Sequence, residues 1–433
     1  MSRNLFPTAV VLRRLLFSLL MAGAAPGHAS MFLDLQQAVD EALASNPGLA
    51  AINTRAEALA SIPEQRGTLP DPRLSLNLQN VPLDSFSLTR EGMTQFQIGI
   101  SQALPFPGKL ALAEAAAQRQ AEAAGFDVAE LRLALVRDVK LVWWNLFFLD
   151  RALEIVEANQ ALLRQFVEVA QGKYRVGEGL QQDVLLAQLE LSRLLERKLD
   201  LEGMRRNEAV RLNVLLDRPA NGEIRLPKEV SEQFSRLPDE RALMARAKRH
   251  RPLLMARERL LEAARLRVDL ARKDYYPDFR VGAVWGVRGG ENPDGSDRAD
   301  FGSLLFSMNL PIYSGSRQDK ALDQRNSERL REQHALHELQ LQVAAEIGRA
   351  LSDYRRNAER AVLFKSGIIP QASQTVASML AGYQVNKVDF LNLVRSQITL
   401  YNYETQYWKA LSESRQALAR LAAAVGEEDI YEK

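Results

Sequence analysis

Metal or acid–base chemistry would first be sought at the four histidines. His334 and His337 lie three apart, a spacing that sets two imidazoles on one helix face within reach of a shared metal, but no third ligand stands beside them, and a solvated coiled-coil face is the better reading. His250 is isolated in a basic segment, and His28 falls in a leader described below. Asp294, Asp297 and Asp300 resemble a calcium loop only loosely, because the spaced ligands and closing glutamate are missing; a solvated acidic loop is the other reading. Pro107-Gly108-Lys109 lacks the glycine spacing of a phosphate loop, and no GxSxG or HExxH pattern occurs. With no cysteine, the chain has no thiol nucleophile, thiolate metal site, disulfide framework or lipid-modified N-terminal cysteine. The nine methionines are scattered and form no soft-metal relay. The chemical search therefore predicts a protein that is not an enzyme and needs no cofactor and no metal. A balance of 56 basic against 54 acidic residues supplies no field for nucleic acid.

The elements are more informative. Arg3, Arg13 and Arg14, the apolar run Leu15 to Ala25 and the small residues of Gly27-His28-Ala29 predict a secretory signal peptide over 1–29. No later stretch reaches the roughly 18 apolar residues of a transmembrane helix. The remaining chain is written twice. Asn46-Pro47 matches Arg251-Pro252, Pro72 matches Pro277, Leu104-Pro105-Phe106 matches Leu310-Pro311-Ile312, and Tyr174 to Gly177 matches Tyr383 to Asn386, with the offset drifting one way from 205 to 209. Each half predicts a helix, two strands around a polar loop, and a long helical hairpin. Arg73–Asn80 alternates Leu74, Leu76 and Leu78 with polar residues, and Gln95–Gln102 does the same with Phe96, Ile98 and Ile100. Phe279–Arg288 sets Val281 and Trp285 on one face, and Ser303–Leu310 sets Leu304, Phe306 and Met308 there. Strands of about 8–10 residues with this alternation suit a tilted membrane barrel, apolar residues toward lipid; a half-buried soluble sheet alternates identically.

Helices of some 60 residues run from Leu110 to about Gly172 and from Gln318 to about Gly382, the second carrying Pro370. Leu336, Leu339, Val343, Ile347, Ala350, Tyr354, Ala358 and Ala361 form a coiled-coil seam along the second, and Trp143 and Trp144 are expected to pack the wall of the first. Breaks at Gly177-Glu178-Gly179 and at Asn386-Lys387 return the chain as hairpins. Four membrane strands cannot close alone, and hydrocarbon tolerates no open edge, so closure requires several copies.

The double repeat, the proline-flanked strand ends and the segment Ile100-Ser101-Gln102-Ala103-Leu104-Pro105-Phe106-Pro107-Gly108-Lys109-Leu110 resemble the TolC-like outer-membrane factor family over the whole mature chain. That resemblance implies a mainly α fold with a small membrane β part: four strands per protomer completing a 12-stranded barrel in a homotrimer, continued by a coiled-coil tunnel. It also implies an outer-membrane location in contact with lipid, and partners in a periplasmic adaptor and an inner-membrane resistance-nodulation-division pump. Leu69-Pro70-Asp71-Pro72 with Leu104 to Leu110 is most similar to the branch serving heavy-metal efflux; a drug-efflux or type I secretion duct is the alternative, and a periplasmic coiled-coil adaptor is the alternative of another class. By the same resemblance the hairpin breaks are tips that contact the adaptor and gate the tunnel, with Tyr174, Val176, Gly177 and Asp183 in the first and Tyr383, Val385 and Asn386 in the second. Gly177 is expected to take a left-handed turn conformation, with Asn386 substituting for it. Asn392 and Arg395 stand where the family often carries two gate aspartates; Arg395 either favours anions or pairs with Asp183 or a nearby glutamate. The expected organisation is a first repeat over 30–217 with its β-hairpin at about 73–104, a linker over 218–240, a second repeat over 241–426 with its hairpin at about 279–310, and a tail over 427–433.

Overall fold

The computed structural model describes residues 32–428 and residue 430; the predicted leader and most of the tail lie outside the described residues. The first half opens with three short helices, α1 (Leu35–Ser45), α2 (Pro47–Ala60) and α3 (Ile62–Gly67), then strands β1 (Arg73–Gln79) and β2 (Gln95–Leu104), then α4 (Lys109–Arg175) and α5 (Gln181–Leu215). The second half repeats the order with α6 (Glu240–His250), α7 (Pro252–Lys273), β3 (Phe279–Val287), β4 (Phe301–Met308), α8 (Gln318–Leu363), α9 (Ile369–Gln384) and α10 (Phe390–Val425).

The helix breaks follow local chemistry. Asp34 closes a capping box with Gln37 on α1, and Asn46 accepts from the Leu49 amide ahead of Pro47, so the missing proline N–H falls where a helix start has no use for it. Pro252 opens α7 in the same way after Arg251. The two corners are anchored alike: Asn46 Nδ2 donates to the Leu215 carbonyl at the end of α5, and Arg251 Nη1 to the Ala423 carbonyl near the end of α10. Arg251 is buried and meets Glu130 at 2.8 Å.

The strands form one antiparallel sheet in chain order β1-β2-β3-β4, which leaves β1 and β4 as unpaired edges. Register carries a row from Leu74 through Ile100 and Ala283 to Leu304, and the neighbouring rows pair Leu76 with Ile98 and Trp285, and Val281 with Phe306. Leu74, Leu76, Leu78, Phe96, Ile98, Ile100, Val281, Trp285, Leu304, Phe306 and Met308 thus share one face, and all are exposed. The opposite face carries Arg73, Ser75, Asn77, Gln97, Ser101, Ser303 and Ser307. The last strand begins two residues before the expected Ser303 and stops at Met308, so Leu310 lies past its end. Asn309 instead turns back to Asp278, its amide donating to the Asp278 carbonyl, ahead of Pro311. In the loops, Asp300 accepts from Trp285 Nε1 and the Arg288 amide, and Asp294 from Ser296. Among the described residues no group of three acidic or imidazole side chains could hold a metal ion.

At 67 residues α4 extends roughly 100 Å at ~1.5 Å per residue. Its middle is fixed by a core in which Trp143 stacks on Phe147 and donates its indole N–H to the Leu33 carbonyl. The seam on α8 is buried at Val343, Ile347, Ala350, Tyr354 and Ala361, but Asn357 rather than Ala358 completes it. The second long helix is not continuous. A π-turn at Phe364–Ile368 separates α8 from α9, with the Ile369 amide reaching back five residues to the Phe364 carbonyl. Pro370 explains it: the ring has no N–H and crowds the turn before it, and one extra residue in that turn relieves the clash. No helix among the described residues is long and apolar enough to cross a membrane.

Candidate functional site at the hairpin tips

Both turns at the ends of the long helices are built the same way. After α4, Gly177 takes φ +78°, its amide donating to the Tyr174 carbonyl (3.1 Å) and that of Glu178 to Lys173 (2.9 Å). After α9, Asn386 takes φ +58°, donating to Tyr383 (3.2 Å), while the Lys387 amide donates to Gly382 (2.8 Å). These left-handed residues satisfy the last helical carbonyls, and asparagine is among the few non-glycine residues that visit this region routinely. Tyr174, Val176 and Val385 are exposed at the extremities.

The two tips touch. Lys173, near the end of α4, donates Nζ to the Tyr383 carbonyl (2.9 Å) and to Asn386 Oδ1, and sits 4.6 Å from the centroid of the Tyr383 ring. Tyr383 packs on Phe390 (5.1 Å between centroids), and Phe390 on Phe166 of α4 (6.3 Å). Asp183 stands in the first turn of α5 beside this cluster. Burial pushes its carboxyl above the ordinary range, and the negative charge of Asp389, the N-cap of α10, adds to the rise. Burial also raises the Tyr383 phenol, with Asp183 contributing, and Tyr383 Oη is a buried atom without a hydrogen-bond partner. Together these groups form a small polar knot under an apolar end, at a joint between the two hairpins.

Of the residues singled out from sequence, the fold brings Asp183, Tyr383 and Asn386 to this joint. Asn392 and Arg395 lie outside it. On α10 the buried positions Phe390, Leu393, Val394 and Gln397 mark the inner side, which turns Asn392 and Arg395 outward. Of the two readings of Arg395, the pair with Asp183 or a nearby glutamate is absent: Arg395 is exposed and has no ion pair among the described residues. Lys173, Phe166, Asp389 and Phe390 were not visible as site residues, because nothing in the repeat pattern shows which side chains cross from one hairpin to the other.

Comparison with known proteins gives a consistent picture. The chain is 24% identical over 408 residues to Nodulation protein T of Rhizobium leguminosarum bv. trifolii, covering 92% of this chain and 83% of that protein. It superposes on the outer-membrane channel OprN with a TM-score of 0.78 at 18% identity (90% of this chain, 89% of that one). On the outer membrane protein VceC of Vibrio cholerae the TM-score is 0.77 at 19% identity, over 91% and 96%. The fold is thus that of the TolC-like channels. The family model described as "Outer membrane efflux protein" matches residues 38–217 and 243–427, one segment for each half of the doubled architecture, and the chain belongs to the outer membrane efflux protein family.

Proposed function

We propose that the chain is one protomer of a homotrimeric exit duct that carries cargo from a periplasmic adaptor and an inner-membrane pump across the outer membrane. One observation carries this reading: a four-stranded sheet with an exposed apolar face and two unpaired edges is joined directly to the long helices. The apolar row from Leu74 to Leu304 faces lipid in this reading, and the opposite polar row lines water. Three copies supply twelve strands and leave no edge, as hydrocarbon demands. The tips then form the periplasmic end, with Val176 and Val385 offered to the adaptor and the Lys173–Tyr383–Asp183 joint holding the hairpins together at rest.

Detergent-extracted protein from the outer-membrane fraction should run as a trimer and conduct ions in planar bilayers. Recovery as a soluble periplasmic monomer would overturn the proposal. Gly177→Pro and Asp183→Ala should change export while leaving trimer assembly intact; unchanged export and conductance in both would remove the gate from the tips. For cargo, the segment Leu104 to Leu110 supports the heavy-metal branch, while an exposed Arg395 in place of an acidic residue argues against a cation-collecting ring. Deletion strains exposed to copper, zinc and cadmium salts, and separately to organic toxicants, decide between metal and drug efflux by which panel loses resistance.

A further inference from the structure

The two halves of the chain differ at one place that the duct reading does not use. In the first half the descending helix α4 is uninterrupted over 67 residues. In the second half the matching helix is broken by the π-turn Phe364–Ile368, about a quarter of the way from its tip. The turn contains Gly367, and Ser366 Oγ donates back to the Val362 carbonyl (2.7 Å), so two local groups already weaken the regular ladder. Such a turn is a place where a helix bends with little loss of backbone bonding.

The inter-repeat linker is fastened to this place and to α10 beside it. Glu232 accepts from Lys365 Nζ within the π-turn and from Tyr407 Oη of α10. Phe234, two residues on, packs against the buried cluster of Ala361, Phe364, Tyr407 and Ala410, as do Ile368 and Ile369. On either side the linker backbone is held from the helices: Arg415 of α10 donates to the Ser231 (2.8 Å) and Gln233 (2.6 Å) carbonyls, and Tyr354 of α8 to the Ser235 carbonyl (2.8 Å). Five consecutive linker residues therefore run as a strap along α8 and α10, and Glu232 and Phe234 fasten it at the π-turn. A connection that only joined two repeats would need none of these contacts.

We infer that the π-turn is a hinge for the α9 arm and its tip, and that the linker strap, through Glu232, holds the hinge in its resting setting. The inference builds on the duct reading, in which the α9 tip is part of the gate. Releasing the strap lets the second hairpin swing while the continuous α4 keeps the first in place. The hinge is the extra residue of the turn, so deleting one residue there, together with Pro370→Ala to remove the ring that the turn accommodates, restores a plain α-helix without changing which face of α9 packs on α10.

The absence of cysteine lets spin labels be placed freely. Exposed Gln165 on α4 and Gln374 on α9 span the hinge arm, and Gln165 with exposed Gln188 on α5 is the reference pair. Each doubly labelled chain is co-expressed with an excess of unlabelled chain, and distances are read in purified trimers. Glu232→Ala should shift the 165–374 distribution toward a second distance, changing the ratio of the two populations about tenfold, as expected for losing a charged hydrogen bond, with the 165–188 distance unmoved. Lys365→Gln, which spares the Tyr407 contact, should give a smaller shift the same way. Deleting Gly367 together with Pro370→Ala in the Glu232→Ala background should return a single distance. An unmoved 165–374 distance in Glu232→Ala, or an equal shift in the reference pair, overturns the hinge. Conductance of the same trimers separates the two claims: an immobile hinge in a conducting trimer sinks the hinge alone, and a moving hinge in a trimer that carries no current sinks the duct.

Discussion

At the scale of single residues, the tip joint has a definite pH signature. Asp183 is penalised by the fold while charged, because burial and the nearby Asp389 raise its folded pKa above the ordinary 3.8. For an acid shifted upward, the penalty is present above the folded pKa and disappears as pH falls through it. Protection of the amides of residues 383–390, taken relative to their intrinsic exchange rates at each pH, should therefore rise on mild acidification, and Asp183→Asn should show the raised protection already at neutral pH, with a flattened profile. Retention of the full pH dependence in Asp183→Asn would transfer the effect to Asp389. The turn itself makes a second expectation. Gly177 at φ +78° has open space around its missing Cβ, so Gly177→Val meets backbone strain alone and should cost ~1–2 kcal/mol, while Asn386→Gly eases the turn but removes the acceptor of Lys173 Nζ, so its loss, about 1 kcal/mol, reports that contact. Limited proteolysis at the tips distinguishes the two. Both left-handed positions were legible from residue type, since glycine and asparagine at the break of a long helical pattern have few other uses. The orientation of Arg395 was not, because helix phase on α10 is set by Phe390, Leu393 and Val394 meeting another hairpin, a contact distant in sequence.

At the scale of elements, periodicity revealed the strands and long helices, and duplication revealed their order. What it left hidden were interruptions and cross-links that depend on neighbours. Pro370 announced a disturbance without saying that it would be absorbed as a π-turn. The buried pair between α4 and α10, Gln397 Nε2 donating to Asn159 Oδ1 at 2.7 Å, was also invisible, since amides in a helical pattern look like surface. This pair fixes register at the price of an unpartnered Gln397 Oε1. Asn159→Leu alone should destabilise by ~1–3 kcal/mol, because it strands the Gln397 amide, whereas changing both to leucine should recover most of that loss. A double-mutant cycle by thermal unfolding in detergent measures the coupling, and additive losses would show that the pair does not act as a unit. The end of α10 is equally constrained: Gly426 has φ +87°, and a Cβ there would meet Arg251 Cα and the His250 carbonyl, each at 2.6 Å. Gly426→Ala should therefore loosen the α6–α7 corner where Arg251 is held.

At the scale of the whole molecule, the unpaired edges decide what a single chain can be. Leu304 on β4 is 90% exposed, Leu74 on β1 is 66% exposed, and neither edge is covered by a helix or loop among the described residues. A soluble protein protects such edges with charge, proline or a covering element, and an isolated sheet this apolar on one face is an aggregation template. Closure against further copies removes both problems at once, which is why the backbone argument for assembly stands apart from any likeness to known channels. The pleat makes the closure testable without knowing its register. When β4 of one copy pairs with β1 of the next, residues on the apolar face of one strand oppose residues on the apolar face of the other. A cysteine fixed at Leu304 should therefore form disulfide-linked oligomers under mild oxidation with cysteines at some of positions 74, 76 and 78 on β1, and with none at 75 and 77. Cross-linking spread evenly over both parities would mean that the edges collide without forming a ladder. No cross-linking at any position would leave the sheet open, and a sheet left open cannot be the wall of a membrane duct.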